Sequence, residues 1–262
     1  MSQVFENRVK RMIKAGQKTA GAWAQLCSPL ATEVLARGGF DWILIDMEHA
    51  AGDVLTLVSQ CQGVAAAGTG SVPFVRVPWN DLVWIKRILD AGAYGLMIPY
   101  INTEADAIQA MKACKYPPQG IRGIAGSPRA AGYGRDTANY LKRANDEIFV
   151  MLQIETPQAV DNLEKIAAVP GVDALFIGPM DLSTSMGHMG NPGHPEVQAL
   201  IASVEARAKK LGMPLGTISG GWEQAKALYD KGYQLITLLS DSVLISKAGA
   251  DIMAKFHESF PA

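Results

Sequence analysis

Cysteine is scarce in this chain, and its three copies are isolated: Cys27, Cys61 and Cys114 stand far apart, with no metal-ligand or redox spacing between them. A disulfide framework and a thiolate metal site are excluded. Reduced, mostly buried thiols of a cytoplasmic protein are expected. An excess of one charge is also missing. Lys and Arg number 24 against 25 Asp and Glu, scattered along the chain, for a formal net charge of -1. That balance leaves no footprint for nucleic acid or for an anionic membrane. No apolar run approaches the ~20 residues that cross a bilayer. The N-terminus lacks the charged, apolar, small-residue order of a signal peptide. No G-x-G-x-x-G follows the first apolar segment, which weakens a dinucleotide-binding reading. The one basic cluster, Arg8-Val9-Lys10-Arg11, reads as the solvated face of a short helix over Val4–Ala15.

What is present is apolar: 48% of the 262 residues, ample for one large core. Short apolar segments alternate with helical ones throughout. Strands are expected at Thr19–Leu26, Trp42–Ile45, Val72–Val75, Gly95–Ile98, from Phe149, and at Ala174–Ile177, Leu215–Ile218 and Leu235–Leu239. Helices are expected at Pro29–Arg37, from Asp53 to Ala67, after Asn80-Asp81, from Thr103 to Lys115, around Tyr140, and at Pro157–Ala168, Glu196–Leu211, Trp222–Lys231 and Val243–Phe260. Loops rich in Gly should fill Pro117–Arg135 and Asp181–Pro195. Short, apolar, non-alternating strands mark a parallel sheet buried on both faces. Eight βα repeats fit a (β/α)8 TIM barrel with an extra N-terminal helix, a single domain over residues 1–262. A doubly wound open sheet is the alternative.

Polar residues gather at the expected strand tips: Asp46, Arg76, Gln153, Glu155 and Asp181, with His49 a short step beyond Asp46. Each has a plain reading. Glu155 could favour the positive end of the next helix, Asp181 could cap a turn, Arg76 could be an ion-pair partner, and His49 could be a surface histidine. Together they say more. Charges at dry strand tips are costly, and two carboxylates on adjacent strands repel unless a cation or a proton lies between them. Oxygen ligands without Cys suit a hard divalent ion such as Mg²⁺ or Mn²⁺. Arg76 and the ion can stabilise an enolate oxygen, and His49 can move protons. That set suits carbon–carbon cleavage or formation next to a pyruvate unit. A Schiff-base route needs a lysine at a strand tip, and Lys86, Lys112 and Lys165 all fall within helices.

Several segments carry a family likeness: Ile45-Asp46-Met47-Glu48-His49, Val75-Arg76-Val77-Pro78-Trp79-Asn80, Tyr116-Pro117-Pro118-Gln119-Gly120-Ile121-Arg122-Gly123, Gln153-Ile154-Glu155-Thr156, Phe176-Ile177-Gly178-Pro179-Met180-Asp181-Leu182-Ser183 and Gly190-Asn191-Pro192. Across nearly its whole length the chain resembles the metal-dependent (class II) pyruvate aldolases of the HpcH/HpaI family. The resemblance implies reversible cleavage of 2-keto-3-deoxy sugar acids, or of related 4-hydroxy-2-oxo acids, to pyruvate and an aldehyde with a divalent cation (Mg²⁺, Mn²⁺ or Co²⁺) in a homo-oligomer, a hexamer or trimer. It implies Glu155 and Asp181 as metal ligands, His49 as base, Arg76 on the enolate, Gln153 and Trp23 as substrate contacts, and the backbone from Gly178 through Met180 to Asp181 as a carboxylate cradle. Asp90 matches an acid that raises the basicity of the histidine. Asp90 ends a helix, however, so a subunit contact or a structural role are its alternatives, and Asp46 is the nearer partner by sequence. Met47 and Met180 stand where relatives carry small residues, and Met180 bears on the choice of aldehyde. An acyl-CoA lyase of the malyl-CoA type and a non-catalytic metal-binding barrel are the competing functions.

Overall fold

A computed structural model describes residues 5–261. Eight parallel strands close into a barrel in sequence order: β1 Thr19–Ala24, β2 Trp42–Asp46, β3 Val72–Arg76, β4 Gly95–Ile98, β5 Phe149–Ile154, β6 Ala174–Ile177, β7 Leu215–Ile218 and β8 Leu235–Ser240. The expected barrel is the observed one. Its helices are α1 Arg8–Lys14, α2 Pro29–Arg37, α3 Val54–Ala66, α4 Leu82–Ala91, α5 Glu104–Cys114, α6 Thr137–Glu147, α7 Pro157–Asp161, α8 Leu163–Ala167, α9 Pro179–Ser185, α10 Pro195–Leu211, α11 Trp222–Lys231 and α12 Asp241–Ser259. None of the described helices is long and apolar enough to cross a membrane.

Local chemistry sets the boundaries. Ser28, Asp53 and Asp81 accept backbone N–H bonds and start α2, α3 and α4. Thr103 and Asp106 form the expected capping box at α5. Four segments differ from expectation, the first being the loop expected over Pro117–Arg135, which holds a 3-10 helix at Arg129–Gly134. The first helix starts at Arg8, because Asn7 caps it; Val4 lies outside the described residues. The helix expected over Pro157–Ala168 breaks at Asn162, whose amide donates to the Asn102 and Gln158 carbonyls. Asp181 stands in the first turn of α9 rather than in a loop, because Pro179 suits a first helical position.

The barrel interior is filled from below. Val9 and Ile13 of α1 plug the N-terminal end, under Trp42, Phe74 and Phe149. These three rings stack in sequence, with centroids 5.6 and 5.3 Å apart. Small residues on neighbouring strands make the room: a Cβ on Gly21 would meet the Trp42 ring at 2.5 Å. The basic cluster on α1 is not simply a solvated face. Lys10 is buried and bonds Asp173 at 2.9 Å and the Ile148 carbonyl at 2.8 Å. Above the aromatic layers the interior turns polar.

Candidate active site

Asp46 ends β2 and Arg76 ends β3, and the strand register sets them side by side. The guanidinium holds the carboxylate at two points, Nε to Oδ1 at 3.0 Å and Nη2 to Oδ2 at 2.5 Å. The indole N–H of Trp23 donates to the same carboxylate at 3.1 Å and Gln25 Nε2 at 3.3 Å. The backbone N–H groups of Glu48 and His49 complete the set at 3.0 and 3.3 Å. Burial pushes the Asp46 carboxyl up, but Arg76 and these donors outweigh it and hold it below the usual range. Asp46 is thus a saturated anchor. It fixes the His49 backbone and makes no bond to the imidazole.

Arg76 is 5% exposed and stacks over Trp23 at 4.6 Å. Its Nη1 reaches Glu48 Oε2 at 2.9 Å, and that oxygen lies 3.8 Å from His49 Nε2. Glu48 therefore joins Arg76 to the histidine. The sequence alone assigns it no role. An acid two residues past a strand end carries no signal of where it points. Burial raises the Glu48 pKa against the pull of Arg76 and His49, and Asp46 and Asp181 raise it further. The His49 side chain is open to solvent, 61% exposed.

Glu155 follows β5 and is 3% exposed. Its Oε1 accepts the Tyr100 backbone N–H at 2.6 Å, and its Oε2 accepts Gln153 Nε2 at 2.7 Å. Burial pushes the carboxyl up to about 7; the Tyr100 N–H opposes this, and Asp181 and Glu48 add to it. Gly178 permits the approach of the next strand: a Cβ there would lie 2.8 Å from Glu155 Oε2. Gly178 then caps α9 without a side chain, so the Met180 and Asp181 N–H groups have no intrahelical partner. Met180 is half-exposed at the rim, and Asp181 is exposed beside the buried Glu155 and the part-buried Glu48. The Gln153 Oε1 is buried with no partner among the described residues.

The family model for HpcH/HpaI aldolase/citrate lyase matches residues 19–248. The chain belongs to this family. The 5-keto-4-deoxy-D-glucarate aldolase of Citrobacter koseri is 41% identical over 240 residues, covering 92% of each chain. A solved HpcH/HpaI family protein from Burkholderia cenocepacia superposes with a TM-score of 0.92 at 40% identity, over 96% of this chain and 99% of that one. The HpcH/HpaI aldolase from Desulfitobacterium hafniense gives 0.86 at 31%, over 95% and 96%. This family member is a carbon–carbon lyase of the aldolase type.

Not every expected residue joins the cluster. Asp90, at the last turn of α4, binds Arg122 Nη2 at 2.7 Å. Helix α4 runs back towards the strand N-termini, so within one chain Asp90 lies at the end of the barrel away from His49. Trp23 is 6% exposed and lies under Arg76, where it supports the guanidinium rather than opening to the rim. The two buried lysines, Lys10 and Lys115, also belong to the closed end, so no lysine among them serves a Schiff base at the strand tips. His188, His194 and Glu196 bring three ligand atoms within 4.8 Å of one another. Local pairing accounts for them: His188 Nε2 meets Glu196 at 2.8 Å, His194 Nδ1 accepts the Glu196 N–H at 3.3 Å, and the two rings lie stacked rather than converging.

Proposed function

We propose that this lyase reversibly cleaves 2-keto-3-deoxy sugar acids to pyruvate and an aldehyde, with a divalent cation held by Glu155 and Asp181. One observation carries the reading: the buried Glu155 packs against Gly178, the residue that caps the turn carrying Asp181, and burial together with Asp181 and Glu48 pushes its carboxyl up to about 7. Like charges gathered around one buried carboxylate fit a hard cation, and an all-oxygen donor set favours Mg²⁺, Mn²⁺ or Co²⁺ over softer metals. Bound there, the ion would polarise the keto oxygen of the substrate.

The remaining work falls to side chains of this chain. Three of the five donors of Arg76 are engaged by Asp46 and Glu48. The others stabilise the oxygen that becomes the enolate. His49, next to the Glu48 carboxylate, takes the proton from the substrate hydroxyl as the carbon–carbon bond breaks. The bonding pair stays with the pyruvate half, the aldehyde leaves, and a proton returned to that carbon makes the methyl group. The open N–H groups of Met180 and Asp181 suit the substrate carboxylate, and the amide of Gln153 orients Glu155. Reduced thiols fit a cytoplasmic enzyme. The exposed apolar side chains of α12, among them Val243, Ile252 and Phe256, fit a homo-oligomer.

Chelation is the test. Stripping divalent ions should abolish pyruvate release from a 2-keto-3-deoxy sugar acid, and adding Mg²⁺, Mn²⁺ or Co²⁺ should restore it. Activity that survives chelation but is trapped by borohydride would overturn the reading.

A further inference from the structure

Tyr100 adopts a left-handed backbone, φ 58°, where a tyrosine is rarely found. Strain of this kind persists only where the surroundings hold it. Here the hold is visible: its N–H donates to Glu155 at 2.6 Å. The same backbone turn leaves the ring half-exposed against Trp79, with centroids 5.5 Å apart and planes tilted by 31°. Trp79 stands three residues past Arg76 at the tip of β3, and Tyr100 stands two past the end of β4. Two large rings are thus held open to solvent on adjacent strand tips, one of them tied to the buried acid of the site.

We infer that Trp79 and Tyr100 form the wall against which the aldehyde half of the substrate packs, and so determine which aldehydes are accepted; the inference rests on the aldolase reading above. The deep polar groups, Arg76, Gln153 and Glu155, serve the keto-acid end, whose chemistry is constant. The variable end must lie toward the rim. A polyhydroxylated chain carries C–H faces as well as hydroxyls, and an aromatic face takes the C–H side while the hydroxyls stay in water. Tyr100 couples the two ends, because the backbone bond that orients Glu155 also sets the direction of its ring.

The test compares kcat/KM for two substrates that share the keto-acid end, one releasing a three-carbon polyhydroxy aldehyde and one releasing formaldehyde. The ratio is independent of how much variant protein folds. In Trp79→Ala and Tyr100→Gly the ratio should fall about tenfold, the scale of losing one aromatic contact. Glycine accepts the left-handed backbone and keeps the N–H on Glu155, so Tyr100→Gly isolates the ring. Trp79→Phe should recover most of the ratio. A ratio within about twofold of wild type in both truncations overturns the inference, and so does a change of sedimentation behaviour with no change of ratio, which would make the pair a contact between copies. Exchange of pyruvate methyl protons with deuterated solvent by the metal-loaded wild-type protein, followed by NMR, checks the underlying reading separately. Exchange with an unchanged ratio overturns the wall alone; no exchange overturns the aldolase reading and the wall with it.

Discussion

Arg76 and Arg122 are both buried, both paired to an aspartate, and both stacked on an aromatic ring, at 4.6 Å over Trp23 and 4.4 Å over Tyr116. They sit at opposite ends of the barrel. Around Arg122 the charges balance: Asp90 is its ion-pair partner, and the Tyr140 hydroxyl accepts from it at 3.1 Å. Around Arg76 they do not balance. Asp46 and Glu48 bind it directly, and Asp181 and Glu155 crowd the same space. One motif of acid, arginine and aromatic ring therefore serves two ends. Matched, it locks a loop to a helix. With surplus acid, it leaves a pocket that favours a cation.

Substituting each arginine by lysine separates the two roles most sharply. Lysine keeps the charge but loses the planar fork. Arg76→Lys should lower kcat in the folded fraction by about 10²–10³, the loss expected of one donor aimed at a developing oxyanion, on top of the stability lost with its two-point hold on Asp46. Arg122→Lys should cost stability alone, about 1–3 kcal/mol in denaturant titration, with normal turnover in the folded fraction. Equal effects at both sites would dissolve the comparison.

Glu155→Gln should abolish metal-dependent turnover and yet raise the stability of the metal-free protein, by about 1–3 kcal/mol, because it removes a buried charge crowded by like charges. The orphaned Gln153 Oε1 offers the new amide an acceptor. A fall in metal-free stability would show that the acid cluster is not a strained feature. The same carboxyl predicts a pH effect. With the pKa raised to about 7, Glu155 holds its proton below that pH, and a cation must displace it. Metal affinity should therefore rise from pH 6 to 8 and level off, with about one proton released at the acid end, read from calorimetry in buffers of different ionisation enthalpy. The smallest effect is expected at Asp90→Asn, about 1–2 kcal/mol of stability through Arg122. A shift of the pH profile of turnover in that variant would instead tie Asp90 to the histidine across a subunit contact.

The fold was legible because its signals are local. Runs such as Trp42–Ile45 and Ala174–Ile177 are short, apolar and closed by polar tips, and Gly95–Ile98 and Leu215–Ile218 match the observed strands at both ends. The tip residues Asp46, Arg76, Gln153 and Glu155 were legible for the same reason: a strand delivers its last side chains to a known face. What lay hidden depends on directions that turns create. Glu48 turns back onto Arg76, and Tyr100 reaches Glu155 only through a left-handed backbone. Asp181 looks like a loop residue in the sequence because a seven-residue helix opening on Gly178-Pro179 has little periodicity to detect. Only the family likeness points to Asp90, and helix direction carries it away from His49 in a single chain.

The stacked rings of Trp42, Phe74 and Phe149, sealed below by Val9 and Ile13, make the barrel a blind well. Whatever enters must leave by the same mouth. With the keto-acid half bound deeper than the aldehyde half, as proposed above, traffic would be last in, first out. In cleavage the aldehyde would then depart before pyruvate; in synthesis pyruvate would enter before the aldehyde. Product inhibition should carry that imprint: pyruvate competes with the sugar acid, and the aldehyde inhibits it non-competitively.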